Sequence, residues 1–142
     1  MLEGEVWQGP DSAAAAEEAA RRFVAAAREA IATRGRFHVA LAGGSTPKQM
    51  YQLLARAPLV GEVDWPRVTA FFGDERCVPP DDSRSNFRMA REALLGHVPA
   101  VAHRIRGELP PDEAARDYEA TLRGEGPPCD DGGWPRFDLI LL

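Results

Sequence analysis

Two short stretches of this chain combine residue types that can do chemistry: Gly43-Gly44-Ser45-Thr46-Pro47 and Asp74-Glu75-Arg76. Adjacent glycines let a backbone approach a ligand closely, and a helix that follows them points its free amides at the turn. Hydrogen bonding and the helix dipole then favour an anion such as phosphate. The hydroxyls of Ser45 and Thr46 can add donors. No Gly-Lys-Ser/Thr follows at Walker spacing, and the third glycine of the dinucleotide fingerprint is missing. A tight turn with an ordinary helix cap uses the same residues, so this stretch alone leaves both readings open. In the second stretch, Asp74 suits a general base or a group that orients another, and Arg76 suits an anionic oxygen. A surface ion pair is the plainer reading of those charges.

The other reactive side chains carry less. Ser85 or Asn86, within Ser83-Arg84-Ser85-Asn86, reads as the cap of a following helix. His38, His97 and His103 have no metal-ligand spacing, and no carboxylate pair marks a glycosidase. Cys77 and Cys129 are too few for a disulfide scaffold and too scattered for a zinc site. Cys77 adjoins Arg76, but no histidine lies nearby in sequence to serve as its base. Two reduced thiols in a cytoplasmic protein is the expectation.

These residues must be positioned by regular elements. From Asp11 to Arg34 the apolar residues Ala16, Ala20, Phe23, Val24, Ala27 and Ile31 fall on one helical face, and Gly35 follows as a left-handed stop. Phe37 to Ala42 reads as a buried strand that breaks at Gly43. A second helix follows, with Thr46 at its N-cap, Pro47 at its first position, Gln49 completing a capping box, and an apolar stripe of Met50, Leu53, Leu54 and Ala57. Val68 to Phe72 is the next strand, and a helix from about Asn86 to Leu95 stops at Gly96. A short strand is expected near Arg104-Ile105-Arg106. A helix opened by Pro110-Pro111-Asp112 should run to Arg123 and end at Gly124. A Gly/Pro-rich linker then delivers Phe137-Asp138-Leu139-Ile140-Leu141-Leu142 as a fourth strand.

Strands that are apolar throughout and alternate with helices indicate a parallel sheet covered on both faces. The fold class is α/β, a Rossmann-like three-layer α/β/α arrangement, with ligands beyond the carboxyl ends of the strands. Residues 1–142 read as one such domain, cut after the fourth strand, because a turn and a helix would ordinarily follow it. A truncated sheet edge would invite a homodimer or other association.

Composition narrows the partners. The chain has 142 residues, with 17 basic and 22 acidic, so its net charge is −5. Lys48 is its one lysine, and the arginines are scattered among acids. A duplex-binding surface needs clustered cations, so no nucleic-acid partner is expected. No apolar run approaches the ~20 residues of a membrane helix, and the first residues lack a basic stretch followed by an apolar one. Neither a membrane nor a secreted location is expected.

Taken together, the motifs resemble one family. Leu41-Ala42-Gly43-Gly44-Ser45-Thr46-Pro47-Lys48, followed by Tyr51 and Leu54, is similar to the phosphate loop of 6-phosphogluconolactonases. Asp74-Glu75-Arg76-Cys77-Val78-Pro79, then Asp81 or Asp82, Ser85-Asn86 and Met89, resembles the family's second motif. Leu94-Leu95, Val98-Pro99 and Phe137-Asp138-Leu139-Ile140-Leu141-Leu142 also match, in order. The resemblance implies hydrolysis of 6-phosphoglucono-δ-lactone in the oxidative pentose phosphate pathway, with neither metal nor nucleotide cofactor. It assigns Gly43, Gly44, Ser45 and Thr46 to the substrate phosphate, and Asp74 and Arg76 to supporting catalytic roles. The family's general base is a histidine in a Gly-x-Gly-x-Asp-Gly-His-Thr-Ala-Ser stretch that would follow Leu142, so the 142 residues alone are expected to be inactive. Two rivals remain, a related glucosamine-6-phosphate isomerase or deaminase and a non-catalytic phosphate-binding fragment. Arg76 and Ser85-Asn86 favour the lactonase over the first.

Overall fold

A computed structural model of the protein describes residues 3–142. Four strands form one parallel sheet in the order β3-β2-β1-β4. Helix α1, Ser12–Arg34, begins at Asp11, whose carboxylate accepts from the Ala14 amide at 2.8 Å, and ends at Gly35 with φ 78°. Strand β1, Phe37–Leu41, leads to α2, Ser45–Leu54. Two short 3₁₀ turns precede β2, Val68–Phe72. Helix α3, Asn86–Ala90, continues as a π turn, Arg91–Leu95. Strand β3 is Val101–Ala102, α4 is Pro111–Glu125 and β4 is Leu139–Ile140.

One face of the sheet carries the main core. Phe37, Val39 and Leu41 of β1 and Val68, Ala70 and Phe72 of β2 point together toward Phe23, Ala27, Met50, Leu54, Ala90 and Leu94. The alanines of α1 let that helix lie close, and Phe23 packs edge-on to Phe37 at 5.3 Å. Each fully buried Phe or Leu side chain contributes roughly 1.5–3 kcal/mol. The opposite face is held by Phe71, which stacks on His103 at 5.1 Å and meets Phe137 edge-on at 5.5 Å. Three helices, α1, α2 and α3, thus share one side. The return connection from β3 through α4 to β4 reverses direction, and a right-handed crossover of that sense runs over the other side.

Strand β4 is Leu139–Ile140, shorter than the expected Phe137–Leu142, and three other boundaries differ from expectation for physical reasons. The third strand is Val101–Ala102, not Arg104-Ile105-Arg106. His103 N takes the Ala70 carbonyl, and the Tyr118 hydroxyl then occupies both backbone groups of Phe72, so a longer β3 finds no edge to join. Arg104 and Arg106 instead pair with Glu108. Helix α4 passes through Gly124 and stops at Gly126, whose amide bonds Leu122 O at 3.0 Å. The third concerns the start of α2, where Thr46 is not the cap. Gly44 holds that place with φ 106°, a left-handed value that glycine adopts without strain, and no side chain caps the helix. Pro47 stands third in α2, within the first turn that needs no proline N–H.

The strand order sets where a ligand can lie. From β1 the chain passes to β2 and β3, then returns to β4 on the other side of β1. Strand β1 thus lies between neighbours that the chain reaches in opposite directions, and such a switch point opens a crevice at the carboxyl end of the sheet. The Gly43-Gly44 turn stands there.

Candidate functional site

The two motifs come together because their strands are paired in register. Leu41 lies opposite Phe72, and Gly73 N donates to Leu41 O at 3.0 Å. Gly43–Thr46 therefore leaves the sheet beside Asp74. Within the turn, Lys48 N donates to Gly44 O at 3.1 Å, which closes the first turn of α2. Pro47 has no N–H to offer. The amides of Ser45 and Thr46 have no protein acceptor among the described residues, as expected of a helix start. Their N–H groups and the α2 dipole face outward together, an arrangement suited to a phosphate.

The base of the turn is clasped from below. The Tyr51 hydroxyl accepts from Ala42 N at 3.0 Å and donates to Ala42 O at 2.7 Å. Burial pushes the Tyr51 phenol well above its ordinary value, so it stays a donor.

Glu75, between the two predicted site residues, anchors α3. Its carboxylate accepts from Asn86 N at 2.7 Å, Phe87 N at 2.9 Å, Ser85 Oγ at 3.0 Å and its neighbour Arg76 N at 2.8 Å. Ser85 is the N-cap, accepting from Arg88 N at 3.1 Å. These bonds satisfy the orphan amides of α3 and place a negative charge at its positive end. Asn86 is turned inward by the same anchor. Its side-chain amide lies 3.3 Å from both Asp74 O and Asp74 Oδ1, and it packs against Gly43, where a Cβ would collide with it.

The sequence-derived residues thus divide. Gly43 and Asp74 meet through Asn86, and Gly44, Ser45 and Thr46 continue the same edge. Arg76 is exposed; no hydrogen bond or ion pair joins its side chain to the loop or to Asp74 among the described residues. Gly107 lets the segment after β3 press on this loop, since a Cβ there would strike the carbonyls of Arg76 and Val78. The Glu75 anchor and the Asn86 contact were not foreseen. Their partners lie 10 to 12 residues away across a polar loop, with no periodic signal linking them.

Two hollows lie away from this edge. One of about 580 Å³ between α2 and α3 is walled by Lys48, Arg56, Arg88 and His97. Another of about 680 Å³ lies by Arg34, Arg36, His38 and Asp138. Neither contains the glycine turn. Both cysteines are free and exposed. No described group of His, Cys, Asp and Glu could hold a metal ion, and no described helix is long and apolar enough to cross a membrane.

A parallel α/β sheet with a glycine turn at its switch point, beside an acidic loop on the next strand, defines a Rossmann-like α/β protein. Residues 10–142 match the family model of glucosamine-6-phosphate isomerases/6-phosphogluconolactonase, and the chain belongs to that family. A 6-phosphogluconolactonase of Treponema pallidum is 40% identical over 107 residues, covering 73% of this chain and 43% of the relative. One from Mycobacterium tuberculosis is 34% identical over 143 residues, covering 94% of this chain and 56% of the relative. The solved 6-phosphogluconolactonase of Trypanosoma brucei superposes with a TM-score of 0.85 at 26% identity, covering 100% of this chain and 60% of that one. The chain spans about half the length of the curated relatives it matches.

Proposed function

We propose that the protein carrying these residues is a 6-phosphogluconolactonase. It adds water across the ring ester of 6-phosphoglucono-δ-lactone, breaking the bond between carbonyl carbon and ring oxygen and giving 6-phosphogluconate. The amides of Gly44, Ser45 and Thr46 hold the phosphate. Asp74 borders the sugar, with Oδ1 engaged by Asn86 and Oδ2 turned to substrate hydroxyls. Arg76 balances negative charge that develops on the carbonyl oxygen. No metal and no nucleotide enters this reading. The observation that carries it is the pairing of Leu41 with Phe72, which sets the glycine turn and Asp74 on one edge of the sheet.

The test is the polypeptide as its gene encodes it, given 6-phosphoglucono-δ-lactone or glucosamine 6-phosphate. Accelerated loss of lactone, with glucosamine 6-phosphate untouched, supports the proposal. Turnover of the amino sugar alone overturns it in favour of the deaminase branch, and binding without turnover of either supports the non-catalytic reading. Two exposed free thiols fit a reducing, cytoplasmic setting. Exposed Ile140, on edge strand β4, fits self-association. Sedimentation that is unchanged by Ile140→Lys would remove that last point.

A further inference from the structure

Asn86 is a buried polar side chain, 6% exposed, at a place where α3 needs none. The helix cap is Ser85, and the Asn86 backbone amide is already taken by Glu75. Its side chain does something separate. Both Asp74 oxygens that it meets are acceptors, so the NH₂ end of the amide must face them, at 3.3 Å each. Its Oδ1 end is then turned to Gly43, so close that only a residue without Cβ fits there. One side chain therefore fills the gap between the phosphate-type turn of β1 and the carboxylate that follows β2.

We propose that Asn86 is a positioning residue, a neutral polar spacer that sets the distance between the Gly43–Thr46 turn and the Asp74 carboxylate and aims Asp74 Oδ2 at the hydroxyls of a bound sugar phosphate. This rests on reading the two loops as one site. The chemistry requires such a part. A phosphate at the turn and a carboxylate nearby repel, and a displacement of about 1 Å in a reacting group can cost ~10²-fold in rate. An uncharged donor anchored by Glu75 holds Asp74 without cancelling its charge. Gly43 then has a second duty: it admits the spacer as well as making the turn.

The experiment needs no turnover. Amide chemical shifts of Gly43 and Gly44 in the 142-residue chain are compared at one pH across a double-substitution cycle of Asp74 and Asn86. In the unsubstituted protein Asp74→Asn should move both resonances. With Asn86→Ala already in place, the same Asp74→Asn change should leave them where they are. Asn86→Asp, which keeps the shape but loses the donor, should break the coupling as well, and Gly43→Ala, which displaces the spacer, should do so at Gly44. Asp74→Asn shifts of undiminished size in the Asn86→Ala or Asn86→Asp protein overturn the proposal. If Asn86→Ala does not fold, Asn86→Asp decides alone. Failure of the chain to bind 6-phosphogluconate would count against the functional reading and leave this coupling result standing.

Discussion

The hydroxyl of Tyr51 holds both backbone groups of Ala42, accepting from its amide at 3.0 Å and donating to its carbonyl at 2.7 Å. Tyr118 does the same for Phe72, at 2.8 and 2.9 Å, and burial pushes its phenol up to about 12. Each of the two central strands therefore ends in a tyrosine clasp where its loop begins. Tyr51→Phe leaves an Ala42 donor and acceptor unmade, which should cost about 1–3 kcal/mol. It should also loosen the turn. Urea unfolding and phosphate titration should fall together. A variant as stable as the parent, binding phosphate equally well, would show that the clasp is incidental.

Thr46→Ala separates binding from capping. From sequence, Thr46 is the N-cap, and its loss would cost ~1 kcal/mol of helix stability. In the structure Gly44 is the cap and no side chain serves. Stability should stay within about 0.5 kcal/mol, as for an ordinary surface change, while anion affinity falls by loss of a hydroxyl donor. Unfolding midpoints and phosphate binding, measured on the same variant, check both halves. A clear stability loss would restore the capping reading.

Glu75→Ala should be the most damaging change in the second motif, costing about 2–3 kcal/mol, the scale of hydrogen bonds to a charged group. It frees the amides of Asn86 and Phe87 and releases Ser85 Oγ. Asp74→Ala, at an exposed position, should cost far less stability. Denaturation of the two variants side by side would reverse the assignment if Asp74→Ala were the more damaging.

What was legible in the chain follows from the range of the interactions. Helix α1, its Asp11 cap and its Gly35 stop depend on neighbours three and four residues apart, and β1 and β2 show as short, mainly apolar runs interrupted only by His38 and Thr69. The start of α2 departs from expectation because a Ser-Thr-Pro pattern fits a cap at Thr46 as well as a first turn at Ser45. Only the φ of Gly44 decides between them. Strand β3 stops short of Arg104-Ile105-Arg106 because its length is limited by Tyr118, 46 residues from its partner Phe72. In the site, residue types named the turn and Asp74, but the side-chain direction of Asn86 is set by Glu75 and has no local signature.

His38 should make stability depend on pH near neutrality. Burial lowers its pKa from the ordinary 6.5, Asp138 opposes this, and Arg36 adds to it. The imidazole is 13% exposed and sits 3.8 Å from Asp138, which also pairs with Arg34. A base with a depressed folded pKa protonates first in the unfolded chain. Its contribution is thus whole above pH 6.5 and is lost as pH falls through the lower folded value. Asp82 and Glu108, held at about 2 by Arg84 and Arg104, lose theirs only in much stronger acid. Urea midpoints should fall between about pH 7.5 and pH 5, and His38→Gln should flatten that slope. An unchanged slope would assign it to other groups.

The polypeptide of residues 1–142 alone should bind phosphate at Ser45 and Thr46 yet hydrolyse 6-phosphoglucono-δ-lactone no faster than buffer. None of its histidines stands at the glycine turn. His38 lies in β1 beside Asp138, the His97 ring bonds the Glu92 carbonyl at 2.8 Å, and His103 stacks on Phe71. These 142 residues also contain no Asp-Gly-His, the setting in which the resembling family carries its base. General-base catalysis typically supplies ~10²–10⁴-fold. Without it, positioning by the turn and Asp74 would be hard to see above the lactone's spontaneous hydrolysis. The check is to purify that polypeptide, confirm its mass, and follow lactone against a buffer blank beside a 6-phosphogluconate titration. Binding without turnover is the expected pair. Robust turnover lost in Asp74→Ala would make Asp74 the base itself, and turnover lost on changing one histidine would show that the base had been sought in the wrong place.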